Sequence, residues 1–419
     1  MSAIEVGLKV ILLFFVLVTI HEWGHFYFAK RAGILVREFA IGFGPKLFSY
    51  KKGETRYTLR ILPIGGFVRM AGEDPEIVQI NPGQTIAISL NKQEQVSTLY
   101  ADQLDRRSNV ILGVVDKIDL EHKLSLTIDV DGEQATYPIH PKAMIVAKGT
   151  ETQIAPIDRQ FGSKTVGQRA LAIVMGPVMN FVLAIFLFLI LVIMLGVYTN
   201  VKLDSVVAGK AGEKAGLKSG DVVISIDNQP IGDDREKLVS AIQQSAGKPM
   251  TWIVNRSGSP LTLEVTPEME EGTGKLGVVI SGDRRNATFS EVITGTYEQV
   301  VGTTIGIVTG LQKLVMLQFK LDDLGGPVRT AQVSAEFARL GMSYLISWAA
   351  TLSLYLGIFN LLPIPALDGS RLLFMGLEAL RGKPIDPNRE SMVHFIGFAL
   401  LMLLMVAVTY NDILRLMKG

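Results

Sequence analysis

His21-Glu22-Trp23-Gly24-His25 closes an apolar run, Val6-Gly7-Leu8-Lys9-Val10-Ile11-Leu12-Leu13-Phe14-Phe15-Val16-Leu17-Val18-Thr19-Ile20. An H-E-x-x-H pattern on a helix puts two imidazoles on one face, four residues apart. That is zinc-ligand spacing, and the adjacent glutamate is placed to act as general base. Most hydrolases of this kind work in water. Here the pattern falls at bilayer depth, where an ionisable side chain is costly and marks function. The chain has five histidines, His21, His25, His122, His140 and His394, and only the first two share this spacing. A purely structural role would bury two imidazoles in an apolar span without a partner.

Composition narrows the setting. The chain has 419 residues, 48% of them hydrophobic, so more than one structural unit is expected. Mean hydropathy is +0.33, high for a protein that meets only water. Lys and Arg number 41 against 40 Asp and Glu, so nothing favours a polyanionic partner, nucleic acid included. Cysteine is absent, so disulfides and thiolate metal sites are excluded and a metal must be held by His, Asp or Glu. The N-terminal run reads as a membrane span. It lacks the basic start and small-residue cleavage site of a signal peptide.

Four stretches are long enough to cross a bilayer, which takes about 20 apolar residues. They cover roughly 5–28, 170–197, 343–366 and 392–411. Lys30, Arg31, Arg37, Lys46, Lys51 and Lys52 follow the first span, Arg159, Lys164 and Arg169 precede the second, and Arg371, Arg381, Lys383 and Arg389 separate the third from the fourth. With four spans all three clusters fall on one side, which is cytoplasmic, and both termini face outward. The paired histidines then sit in the cytoplasmic half of the first span.

Between the spans the pattern changes. Residues 34–70 read as a β-hairpin: Tyr57, Leu59 and Ile61 alternate with Thr58 and Arg60, and Lys51-Lys52-Gly53-Glu54 supplies the turn. Ile41-Gly42-Phe43-Gly44-Pro45 and Pro63-Ile64-Gly65-Gly66 are rich in breakers. Residues 84–150 alternate as strands, with Asp131-Gly132 as a hairpin turn, and no chemistry shows in them. Residues 200–270 read as an α+β unit. Ala215-Gly216-Leu217-Lys218-Ser219-Gly220-Asp221 leads into the strand Val222–Ile226, and a helix follows that is capped by Asp233 or Asp234. This order resembles a PDZ domain; a generic α+β domain without an open groove is the alternative. Residues 287–335 carry an apolar stripe suited to an interfacial helix.

A catalytic zinc wants three protein ligands and an open position. Asp368, in Asn360-Leu361-Leu362-Pro363-Ile364-Pro365-Ala366-Leu367-Asp368-Gly369, is the preferred third ligand, since it is the acidic residue closing the third span on the same side as the paired histidines. Glu378 is the runner-up. Pro363 and Pro365 forbid a regular helix there, so the stretch is expected to be extended.

His-Glu-x-Gly-His in the first span, Gly176-Pro177-x-x-Asn180-Phe181 in the second, the PDZ-like unit and Asn-x-x-Pro-x-Pro-x-Leu-Asp-Gly together resemble the site-2 protease family of intramembrane zinc metalloproteases over nearly the whole chain. The stretch Arg37–Pro45, the single PDZ-like unit and the β-rich insertion are similar to its RasP type, found in Gram-positive bacteria. The resemblance implies a bacterial cell-membrane enzyme holding Zn2+ through His21, His25 and Asp368, with Glu22 as base. It implies hydrolysis within single-span membrane proteins (anti-sigma factors and remnant signal peptides) after a first cut outside. It also implies that the hairpin is a membrane-reentrant β-loop presenting substrate as a strand. Asn360, Pro363, Pro365, Gly65 and Gly66 are then the candidate substrate-positioning residues. Two positions depart from the family's pattern: Tyr355 stands where Asn is common, and Ser370 where Gly is usual.

The expected architecture is a polytopic α-helical membrane protein with four transmembrane helices, a membrane-associated β-hairpin, a β-rich cytoplasmic insertion and one extracytoplasmic PDZ-like domain. The expected order is a first span with the zinc motif (1–30), the reentrant β-loop (31–70), the insertion (71–168), the second span (169–198), the PDZ-like domain (199–270), an interfacial amphipathic region (271–342), the third span with the metal-ligand loop (343–391), and the fourth span (392–419). A membrane metal or ion transporter would show internal repeats and more intramembrane charge, and neither is present. An inactive PDZ-bearing scaffold would have no use for an intact set of His21, Glu22, His25 and Asp368.

Overall fold

A computed structural model describes the chain apart from residues 1, 74–79, 103, 105–108, 148, 271, 317, 319–324 and 419. It divides into two compact units, residues 1–185 with 303–419, and residues 186–302. Among the described residues, four helices are long and apolar enough to cross a membrane: Ala3–Arg31, Val166–Leu195, Met342–Asn360 and Arg389–Arg415.

In the first unit, α1 (Ala3–Arg31) starts at Ser2, whose side chain accepts from the Glu5 amide, and ends in Lys30 and Arg31, cations suited to a helix C-terminus. The strands β1 (Val36–Lys52) and β2 (Thr55–Met70) follow. They form the expected hairpin, but it is folded over on itself. Residues 38–41 have strand partners both at 66–69 and at 56–59. The fold-over occurs at the glycines. Gly42, Gly44 and Gly65 all have positive φ, and a Cβ on Gly42 would lie 2.5 Å from the Leu62 carbonyl oxygen. The turn at 53–54 is thereby carried back to the base, where the Thr55 hydroxyl donates to the Val36 carbonyl at 2.8 Å. The bends leave Phe43, Leu47, Phe48, Ile61 and Leu62 exposed.

Next come β3 (Thr85–Leu90), β4 (Val96–Tyr100), β5 (Ile111–Asp119), β6 (Ser125–Val130), β7 (Glu133–Ala147) and β8 (Thr150–Gln153). Their order is β4-β3-β5-β6-β7-β8, and an added β4–β7 pairing closes the sheet on itself. That pairing covers the outer edge of β4, which would otherwise invite mispairing. Alternate residues point inward, and Ile86, Ile88, Leu99, Leu126 and Ile128 are fully buried. Asp131 and Gly132 both take positive φ, as a two-residue turn between β6 and β7 requires.

Glu54 ties the hairpin turn to this small barrel. Its carboxylate accepts from both Arg159 Nη atoms at 2.7 and 2.9 Å and from Gln153 Nε2 at 2.8 Å. The hydrogen bonds from Arg159 hold the Glu54 carboxyl at about 2, below its ordinary 4.5. A depressed carboxylate contributes stability in full above its unfolded value and loses it as the pH falls toward the folded one. Glu54→Gln should therefore lower Tm by a few degrees at pH 7, and the gap should close between about pH 4.5 and pH 2, in thermal melts of both proteins across that range. A gap that does not change with pH would contradict the assignment.

The second unit holds β9 (Val197–Val206), α3 (Ala211–Lys214), β10 (Val222–Ile226), β11 (Gln229–Pro230), α4 (Arg235–Gln244), β12 (Met250–Arg256), β13 (Ser259–Val265), β14 (Glu268–Glu270), β15 (Thr273–Lys275) and β16 (Val278–Arg285). The main sheet runs β13-β12-β10-β9-β16 around buried Trp252, Leu203, Val254 and Leu238. Asp234 caps α4, accepting from the Lys237 amide at 2.8 Å. Buried Asp221 pairs with Arg256 at 2.7 Å. The sheet extends beyond residue 270, where the sequence placed its end, because β16 returns to pair with β9. Such a long-range pairing leaves no local trace in sequence.

The remaining helices are α5 (Phe289–Val315), α6 (Pro327–Leu340), α7 (Met342–Asn360), α8 (Asp368–Arg381) and α9 (Pro387–Lys418). α7 stops at Asn360, ahead of Pro363, since the residues before a proline leave the helical region. The stretch 361–367 is not extended as expected. It closes into turns, with Ile364 N–H to Leu362 O at 2.7 Å and Leu367 N–H to Ile364 O at 3.0 Å. Proline blocks a helix without preventing local turns of this kind.

Candidate active site

α1 and α2 (Val166–Leu195) meet at glycines. A Cβ on Gly24 would lie 2.2 Å from the Met175 carbonyl oxygen, and one on Gly176 would lie 2.2 Å from His25 Nε2. Both positions need the missing side chain so that the histidine face of α1 can lie against α2. The site is built on that crossing.

His21 Nε2 and His25 Nε2 stand 3.2 Å apart, and each is 3.3 Å from Asp368 Oδ2. Ligand atoms placed about 2.0–2.1 Å from a tetrahedral zinc lie roughly 3.3 Å from one another. Asp368 Oδ2 is buried with no hydrogen-bond partner among the described residues, as a metal ligand would be. Among the described residues, His21, His25 and Asp368 form the one cluster of three metal-capable donors within 4.8 Å. The His25 Nδ1–H donates to the Ala172 carbonyl at 3.0 Å, which leaves Nε2 unprotonated and free to ligate. The donor set fits zinc.

Glu22, buried between the two histidines in sequence, shares with them a cavity of about 620 Å³. Its walls include Gly66–Met70 from β2, Asn360, Ala366, Asp368, Arg371 and, from α9, His394 and Phe398. A Cβ on Gly66 would lie 2.8 Å from Glu22 Cγ, so glycine lets the strand pass against the glutamate. Of the candidate substrate-positioning residues, the structure brings Gly66 and Asn360 to the wall. Asn360 Nδ2 is engaged by its own helix, donating to Leu356 O at 2.9 Å. Pro363, Pro365 and Gly65 are not part of the wall. Gly65 and Pro365 instead govern close approach: a Cβ on Gly65 would strike the Phe43 ring, and Pro365 packs against Gly397 of α9.

Glu378 is not near the triad's donors. It pairs with Arg169 of α2 at 2.5 Å. Arg371 pairs with Glu73, just past β2. These two ion pairs tie α8, which begins with Asp368, to α2 and to the hairpin. The loop before Asp368 has a further tie. Ala366 takes a positive φ of 78°, costly for a residue with a side chain, and its N–H donates to His394 Nδ1 at 3.1 Å. Sequence reasoning gave no part to Glu73 or His394, and counted Arg371 only among the cations flanking the spans. A histidine within the fourth apolar span was the one available signal.

The comparisons with known proteins agree with this geometry. The model for peptidase family M50 matches residues 9–404. The chain is 44% identical to the zinc metalloprotease RasP of Oceanobacillus iheyensis, across 97% of this chain and 98% of that one. It is 44% identical to the regulator of sigma-W protease RasP of Bacillus subtilis, across 97% of each. It is 40% identical to the probable protease eep of Enterococcus faecalis, across 97% of this chain and 98% of that one. The chain thus belongs to peptidase family M50, the site-2 proteases, and is a multi-pass membrane zinc metalloendopeptidase that cuts within the membrane.

Proposed function

We propose that the chain hydrolyses peptide bonds inside the spans of single-span membrane proteins whose outer part has already been removed, anti-sigma factors and remnant signal peptides among them. The name of the Bacillus subtilis relative, a regulator of sigma-W protease, supports a regulatory substrate. The observation that carries the reading is that Glu22, the three metal-capable donors and the strand Gly66–Met70 share one cavity.

His21, His25 and Asp368 would hold zinc, which when bound would supply Lewis acidity to the scissile carbonyl and to the attacking water. Glu22 takes the proton from that water and delivers it to the leaving amine. A helical substrate hides its backbone groups, so it must unwind before it is cut. Gly66–Met70 pairs with 36–41 on one side, and its other side offers backbone groups for an added strand. Asn360, which also lines the cavity, steadies the substrate backbone through its side-chain amide, and Gly65, Pro363 and Pro365 set the shapes of the two segments. The exposed apolar residues at the hairpin bends dip into the bilayer.

The basic residues flanking the spans put the zinc site toward the cytoplasm and the unit around β9–β16 outside. That unit is PDZ-like and acts as a size filter, admitting substrates already shortened by a first cut. Deleting 197–286, the whole sheet, should leave zinc content unchanged and let the enzyme cut a full-length substrate that wild type leaves intact. Cleavage of full-length and shortened substrates by both proteins, reconstituted in liposomes, is the comparison. A folded deletion that still cuts only the shortened form would refute the filter.

A further inference from the structure

Asn180 sits within α2 with its side chain fully buried. Its Nδ2 lies 3.1 Å from His21 Nδ1, and its Oδ1 has no hydrogen-bond partner among the described residues. The two ends of a side-chain amide have the same shape, so the hydrogen bonds they make assign them. Turning the amide over exchanges which end is unpaired, so the number of bonds does not choose. The chemistry of His21 does. Its Nε2 faces Asp368 Oδ2 and must be unprotonated to hold a metal, which puts the ring proton on Nδ1. An Nδ1–H needs an acceptor, and of the two amide ends only the oxygen accepts.

His25 shows the same arrangement without ambiguity, since its Nδ1 meets a backbone carbonyl, Ala172 O. Ala172, Gly176 and Asn180 are spaced by four, on one face of α2. The first accepts from one histidine, the second makes room for its ring, and the third reaches the other histidine. The Ser353 hydroxyl donates to the Asn180 carbonyl at 2.8 Å and fixes that turn of α2 against α7.

We propose that Asn180 presents its side-chain oxygen to the His21 Nδ1–H and so holds His21 in the tautomer that ligates zinc. Asn180 is a positioning residue that acts through His21, and the proposal rests on His21 being a ligand. Hydrogen-bond partners of ligating histidines typically set metal affinity by about 10–100-fold.

The test is zinc affinity of the purified full-length chain, measured by competition with a chromophoric chelator, beside the Tm of the metal-free protein. Asn180→Leu should weaken zinc binding by about 10–100-fold with little change in metal-free Tm. Asn180→Asp keeps an acceptor and cannot donate when ionised, so it should bind zinc at least as tightly as wild type. If Asn180→Asp loses as much affinity as Asn180→Leu, the nitrogen faces His21 and the proposal is wrong. It is equally wrong if Asn180→Leu keeps full affinity. Should Asn180→Leu fail to fold, the Asp variant decides alone. His21→Ala is the control: unchanged zinc affinity there would remove His21 from the ligand set, a different failure.

Discussion

Glu22→Gln is expected to abolish turnover while leaving zinc bound. The substitution keeps size and hydrogen-bonding shape and removes only the ability to take a proton. Glu22 belongs to the cavity wall, but the metal-capable cluster consists of His21, His25 and Asp368 without it. General acid–base catalysis contributes about 10²–10⁴-fold, so cleavage should fall to at most about 1% of wild type. Metal analysis of the purified variant and a cleavage assay on the same sample check both halves. Activity above a few per cent would remove Glu22 from the role of base. Loss of zinc together with activity would instead make it part of the metal site.

Asp368→Asn should lose both zinc and activity. A neutral amide is a poor ligand where a carboxylate oxygen stands 3.3 Å from each imidazole nitrogen. The loss of affinity should exceed the roughly 10–100-fold attached to a supporting hydrogen bond, because a ligand itself is removed. Glu378→Gln serves as the comparison. Its carboxylate is paired with Arg169 and should leave zinc content unchanged, with some loss of stability from the freed arginine. Full zinc occupancy and activity in Asp368→Asn would place the third ligand elsewhere.

The proposed ligand set could be chosen from the sequence because the membrane leaves few choices. An H-E-x-x-H pattern closing an apolar run, no cysteine, and one aspartate ending another span on the same side sufficed to choose Asp368 over Glu378. The hairpin was legible from its alternation, and the Asp131-Gly132 turn from its residue types. The rest depended on partners far apart in sequence. Gly42, Gly44 and Gly65 could be seen as breakers, but the fold-over they permit rests on 38–41 pairing with two segments at once. The two prolines excluded a helix at 361–367, yet the turns there rest on a strained Ala366 and on His394, which comes from another helix. Asn180 was visible as a polar residue in an apolar span. Its relation to His21 appears only once α1 and α2 cross at Gly24 and Gly176.

The claim that this metal centre cuts peptide bonds inside the bilayer is tested most directly by mapping the cut. Wild type and Glu22→Gln are reconstituted in liposomes with a shortened single-span substrate, and the products are identified by mass spectrometry with and without a zinc chelator. The account predicts new termini within the substrate's apolar span, formed by wild type, absent with Glu22→Gln, abolished by the chelator and restored by added zinc. Cuts confined to segments outside the bilayer, or cleavage that persists with Glu22→Gln or without zinc, would contradict it.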